Sequence, residues 1–285
     1  MPTRPQPPSE LADLIEAWTN TAQAVLDLGI TAKDEDFDLQ TQCPGWTVKD
    51  QISHVVGVER MLAGLPEEAV EVPDYPWLLS ELGRGIEASV EVRRSRSGAE
   101  VVAEWQDVLP LRTAQIHGYL ADPEQDVPGP FGLGSPQEIL GFRVIDVWCH
   151  EQDLRNALNH PGNLDSPAAA LFTKLVLDAL PRVVARTAAL PVGTTVIIEV
   201  TGPVQARRGV RVIEGEDGRP RGEALFSGDA LTAGHETDEA TTIRLSTEEL
   251  TRRGAGRVAV DELRYSVEGD EDVARRVLDA LAITP

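Results

Sequence analysis

Two cysteines, Cys43 and Cys149, in 285 residues are too few for a disulfide framework. The N-terminal stretch MPTRPQPPSE holds no apolar core of the kind a secretory signal carries, so a reducing, cytoplasmic location is expected. No run of about 18 apolar residues occurs, which argues against a membrane-spanning helix. Basic residues are also scarce: 26 Lys and Arg face 47 Asp and Glu, a formal charge of −21 that repels nucleic acid and anionic lipid surfaces. Neither nucleic acid nor membrane is therefore expected as a partner. Aromatic residues are few, 5% against 41% hydrophobic, which suits an aliphatic, helix-rich core.

The patterning changes character once, near ALPVGTTVIIEV. Before it, helical periodicity predicts helices over about 10–29, 47–64, 76–95, 99–121, 135–159 and 165–189. After it, TTVIIEVTG, GVRVIEG, GEALFSG, ATTIRLS and LRYSVEG read as short strands between turn residues, and TEELTRRGAG and DEDVARRVLDALA as helices. The expected division is a mainly α domain over 9–190 and a smaller α+β domain over 191–285. The Pro-rich first eight residues are expected to fray. Thr47, following a Pro-Gly turn, is placed to cap the second helix, with Asp50 completing an acidic capping box.

Two stretches carry residues that suggest chemistry. In GFRVIDVWCHEQDLRNAL, Asp146 and His150 lie one helical turn apart and Asp153 falls just short of the next turn. Leu140, Val144, Val147, Leu154 and Leu158 make an adjoining apolar face, so this polar stripe sits where the helix meets a neighbour. In CPGWTVKDQISHVVGVE, His54 lies at the edge of the apolar face made by Ile52, Val55 and Leu62. If the two helices are neighbours, two imidazoles and a carboxylate converge, a donor set suited to a divalent metal with an open coordination position. Zn²⁺ and non-haem Fe(II) both fit it. The alternative is a pair of ordinary helix-flank histidines with Asp146 at the surface.

Together these stretches resemble the mycothiol-dependent maleylpyruvate isomerase family, whose N-terminal domain is a DinB-like four-helix bundle. GTTVIIEVTGPV, ATTIRLSTEELTRRGAGRV and YSVEGDEDVARRVLDALAITP are similar to that family's sterol-carrier-like C-terminal domain, so the likeness spans nearly the whole chain. The resemblance implies that His54, Asp146 and His150 match metal-ligand positions, with zinc as the ion and mycothiol, an actinobacterial low-molecular-weight thiol, as cosubstrate. The family's carboxylate is a glutamate where this chain has Asp146, one methylene shorter. The implied activity is addition of a zinc-activated thiolate to a small electrophile, either for isomerisation through a thiol adduct or for thiol transfer. A non-catalytic small-molecule carrier with a structural metal site is the alternative. A zinc-containing regulator of a transcription factor is disfavoured because no compact His/Cys cluster is present.

Other residues invite roles of their own. Glu59 falls within the second helix's apolar face, where an unpaired carboxylate is costly, and reads as a partner to a ligand, a general base or a buried ion pair. Arg143 is placed to pair with Glu59 or Asp146, or to bind an acidic ligand. Arg207, Arg208 and Arg211 in VQARRGVRV are candidates for binding the thiol cofactor, against a plain solvated hairpin. Asp153 is read as facing solvent, with orientation of His150 as the alternative, and Glu151 and Gln152 are expected at the surface. Cys149 reads as a packed thiol, Cys43 as a turn residue, and Trp46 and Trp148 as core anchors. His117, His160 and His235 lack partners at ligand spacing.

Overall fold

The first helix, α1, runs from Leu11 to Thr31 and turns Leu14, Ile15, Trp18, Ala22 and Val25 inward, one face repeating every three or four residues. In the computed structural model, which describes residues 3–226 and 240–284, it is followed by α2 (Val48–Leu62), α3 (Glu81–Glu91), α4 (Gly98–Gly118) and α5 (Pro136–Ala157). The expected capping box starts α2: Asp50 donates its N–H to Thr47 Oγ1 at 3.3 Å, and Thr47 N–H donates to Asp50 Oδ2 at 3.0 Å. The same device starts α5 at Ser135 and Glu138, with Pro136 at the position where a missing N–H does no harm. A short hairpin of β1 (Val127–Gly129) and β2 (Gly132–Gly134) precedes α5; its Pro- and Gly-rich sequence gave no strand signal.

Helix α1 packs along α5 and α4, and α2 packs along α4, α5 and α3. Gly57 lets α2 and α3 approach closely, since a Cβ there would come within 2.5 Å of Ser89 Cβ. Helix α5 runs between α1 and α2 and is buried without a break from Val147 to Leu154.

The remaining elements are α6 (Pro167–Arg182), β3 (Thr195–Thr201), β4 (Ala206–Glu214), β5 (Pro220–Phe226), β6 (Thr241–Ser246), α7 (Thr247–Gly254), β7 (Tyr265–Glu268) and α8 (Glu271–Asp279). The strands form one sheet in the order β5-β4-β3-β6-β7. Among the described residues, only β3 and β6 pair in parallel. Central strand β3 is the near-continuous apolar run TVIIEV that burial on both faces favours. The end of GEALFSG and His235 lie outside the described residues.

Pro8–Gly162 forms one compact unit, and the described residues from Asn163 onward, with Thr3–Pro7, form the other. The division therefore falls ahead of the 190/191 boundary expected from the change in patterning. Helix α6 packs on α7, β4 and β5, a tertiary choice that its own periodicity does not reveal. The N-terminal segment also departs from the frayed expectation: Arg4 and Gln205 exchange backbone hydrogen bonds of 2.8 Å.

Candidate functional site

The turn before α2 builds one wall of the site. Trp46 N–H donates to Cys43 C=O at 3.1 Å, closing a tight turn that needs Gly45 at φ +77°. A Cβ on Gly45 would also enter the Trp77 ring, 2.3 Å from its nearest atoms. The turn delivers the Trp46 indole against two imidazoles, with ring centroids 5.1 Å from His54 and 5.8 Å from His150. Buried Glu87 fixes the indole by accepting its Nε1–H at 2.9 Å. Beyond the turn, α2 and α5 run antiparallel: Gln51 meets His150, His54 meets Asp146 and His150, and Glu59 meets Arg143.

This crossing brings the three candidate ligands together. One donor atom from each of His54, Asp146 and His150 lies within 4.8 Å of the others. His54 Nε2 is 3.4 Å from Asp146 Oδ2, and His150 Nε2 is 3.7 Å from Asp146 Oδ1. Both imidazoles are buried, whereas the Asp146 side chain is 35% exposed, so the cluster opens toward solvent at its carboxylate. Both ring nitrogens of His54 are buried without a hydrogen-bond partner. Such a group is costly unless something else engages it.

The charge states follow from the surroundings. Burial, reinforced by the charge on His150, pushes the His54 imidazole down to about 4, so it is neutral and able to donate a lone pair. Burial also opposes charge on His150, but Asp146 and Asp153 outweigh it and raise its pKa. For Asp146, burial favours the protonated form; Arg143 and then His150 prevail and hold the carboxyl well below its usual range.

A buried ionic chain stands behind the cluster. Arg143 donates to Asp146 Oδ2 through Nη1 and to Glu59 Oε1 through Nε, each at 2.9 Å. Glu59 accepts from Arg112 Nε at 2.7 Å and from Trp18 Nε1 at 3.3 Å. Burial raises the Glu59 carboxyl, and the two guanidiniums more than reverse this, leaving it ionised. Glu59 thus serves as a buried counterion. Arg143 pairs with both of the partners its spacing offered.

Several residues lie elsewhere than expected. Asp153 does not face solvent: its side chain is fully buried, with Oδ2 3.7 Å from His150 Nδ1. Glu151 is buried and paired with Arg155 at 2.6 Å, and buried Gln152 donates to Gly162 C=O. The reason is that α5 is covered along two sides, leaving open only a strip that includes Phe142 and Asp146; a single apolar stripe shows one side. Arg207, Arg208 and Arg211 are on β4 of the other unit, where Arg207 pairs with Glu199 at 2.9 Å and Arg208 with Asp178 at 3.4 Å. His117 and His160 are exposed, and Cys149 is buried. Sequence reasoning missed Arg112 and Gln51. Gln51 had a usable signal, lying three residues before His54 on one helix face, whereas Arg112 had none.

Residues 18–155, nearly all of the helical unit, match the family model described as the mycothiol maleylpyruvate isomerase N-terminal domain. The helical unit is therefore a domain of the mycothiol maleylpyruvate isomerase N-terminal type. The fold agrees across both units. The crystal structure of the mycothiol-dependent maleylpyruvate isomerase aligns with a TM-score of 0.54, covering 90% of this chain and 93% of that one at 12% identity. A histidine-to-alanine mutant of that isomerase aligns with the same score, identity and coverage. No curated protein matches the sequence. Among the described residues, no helix is long and apolar enough to cross a membrane.

Proposed function

We propose that this chain is a metal-dependent enzyme that uses a low-molecular-weight thiol, mycothiol, on a small electrophile. The observation that carries the reading is the convergence of His54, Asp146 and His150 from antiparallel helices, with both His54 nitrogens buried and unpartnered. Two imidazoles and one carboxylate are a donor set for zinc that leaves a coordination position open. His54 and His150 would hold the ion through Nε2, and Asp146 through a carboxylate oxygen. When bound, zinc supplies the charge that lets a thiol ionise near neutral pH.

The chain's own groups define the rest. Depressed basicity keeps the His54 lone pair available. Arg143 holds Asp146 ionised and oriented, and Glu59 with Arg112 holds Arg143. Trp46 walls one side of the two imidazoles and excludes water there, while the part-exposed Asp146 marks the approach for solutes. The helical unit fits the family's DinB-like four-helix bundle if α1, α2, α4 and α5 are its members. The family match favours an enzyme over a non-catalytic carrier, and an isomerase is the first activity to test because the matched structures are of one.

Elemental analysis of untagged protein tests the metal: about one zinc per chain is expected in the wild type and none in His54→Ala or His150→Ala, with helical content kept. Mycothiol and maleylpyruvate are then supplied to the zinc-loaded protein. Regenerated thiol with an isomerised product supports isomerase chemistry, and a persistent S-conjugate supports transfer. A wild type that stays metal-free after zinc addition sinks the proposal.

A further inference from the structure

The hydrogen bonds around His150 have a direction that can be followed from the backbone. Trp46 C=O can only accept, and it accepts from Thr41 Oγ1 at 2.8 Å as well as from Thr41 N–H at 3.0 Å. The single hydroxyl proton of Thr41 is thereby committed. Thr41 Oγ1 then has two lone pairs left, and two N–H groups point at it: Cys43 N at 3.2 Å and Gln51 Nε2 at 2.7 Å. This orients the Gln51 amide, because the flipped amide would set Oε1 against an oxygen with no proton to give. Gln51 Oε1 consequently faces His150 Nδ1, at 2.6 Å. A carbonyl oxygen only accepts, so Nδ1 carries the proton. Asp153 Oδ2, 3.7 Å from the same nitrogen, is too distant to take over that bond as it stands.

We infer that Thr41 and Gln51 are positioning residues that hold His150 as its Nδ1–H tautomer, leaving Nε2 as the one nitrogen able to present a lone pair toward His54 and Asp146. The direction originates in the turn that seats Trp46, so one short segment places the indole wall and selects the tautomer of a histidine 109 positions further along the chain, counted from Thr41 to His150. The outer hydrogen bond of a metal-ligating histidine fixes ring orientation in this way, and its loss weakens metal binding by about ten- to hundredfold. That consequence rests on reading the cluster as a metal site; the tautomer does not.

The experiment is long-range ¹H–¹⁵N correlation NMR on the metal-free full-length protein labelled at its five histidines, in alkaline solution where the imidazoles are neutral. His150 is assigned by loss of its signal in His150→Gln. Wild type is expected to show the proton on Nδ1. Thr41→Val, which keeps the side-chain shape at a part-exposed position, should drift toward the Nε2–H form that free histidine favours. Thr41→Ser should restore the wild-type spectrum. In zinc competition titrations, Gln51→Leu is expected to bind about ten- to hundredfold more weakly. An Nε2–H tautomer in wild type overturns the inference, as does an unchanged tautomer in both Thr41→Val and Gln51→Leu. An Nδ1–H wild type that takes up no zinc supports the tautomer assignment while removing the metal reading.

Discussion

Replacing Glu59 by Gln tests whether the ionic chain behind the site is a structural keystone. Glu59 and Arg112 have fully buried side chains, and that of Arg143 is only 3% exposed. With Asp146, the four groups carry two positive and two negative charges, so the wild-type chain is neutral. Glutamine keeps the shape but removes one negative charge, and its amide N–H₂ must face one of the two guanidiniums, donor against donor. Breaking a buried pair by removing one partner costs about 3–5 kcal/mol. For a domain of this size that corresponds to a melting temperature lower by about 6–20 °C. All five tryptophans, Trp18, Trp46, Trp77, Trp105 and Trp148, lie in the helical unit, so fluorescence-detected unfolding reports on that unit. The sign with pH is also defined. Glu59 has a folded pKa depressed from its ordinary 4.5, so its stabilisation is complete above that value and is lost as pH falls through the folded pKa. The gap between wild type and Glu59→Gln should therefore be constant near neutrality and close only in acid. A loss below about 1 kcal/mol at neutral pH, the scale of exposed ion pairs, would refute the reasoning.

Other expectations concern the site and its supporting turn. Asp146→Glu should retain zinc, because it keeps a carboxylate donor at the part-exposed edge of the cluster; complete zinc loss by elemental analysis would show that the shorter side chain is required. Zinc uptake has to displace the proton that Asp146 and Asp153 stabilise on His150, whose pKa is raised, so affinity should increase with pH through neutrality, by about tenfold per unit at most. Flat affinity in titrations from about pH 6 to 8 would count against His150 as a ligand. Gly45→Ala should destabilise the helical unit by more than the roughly 1–2 kcal/mol of a left-handed non-glycine residue, because the added methyl also meets the Trp77 ring. Wild-type stability in urea unfolding would mean that the turn relaxes freely.

The parts of this protein that were legible in its sequence are those set by local periodicity. The one-turn spacing of Asp146 and His150 is a property of any α-helix, and Thr47 with Asp50 specifies a helix start regardless of what the helix later touches. Strands β3, β4 and β6 were readable for the same reason, since β-branched runs between turn residues carry their own signal. What no single stretch encodes is which helices become neighbours. Packing of α4 on α2 brought Arg112 to Glu59, and the antiparallel crossing of α2 and α5 decided that His54 meets His150 and that Gln51 supplies an acceptor. It also buried Asp153, Glu151 and Gln152, because an amphipathic pattern records one covered side and α5 has two. Helix α6 joins the sheet unit on the same principle: its apolar face shows that it must pack, and only the tertiary structure supplies β4, β5 and α7 as the surface it packs against.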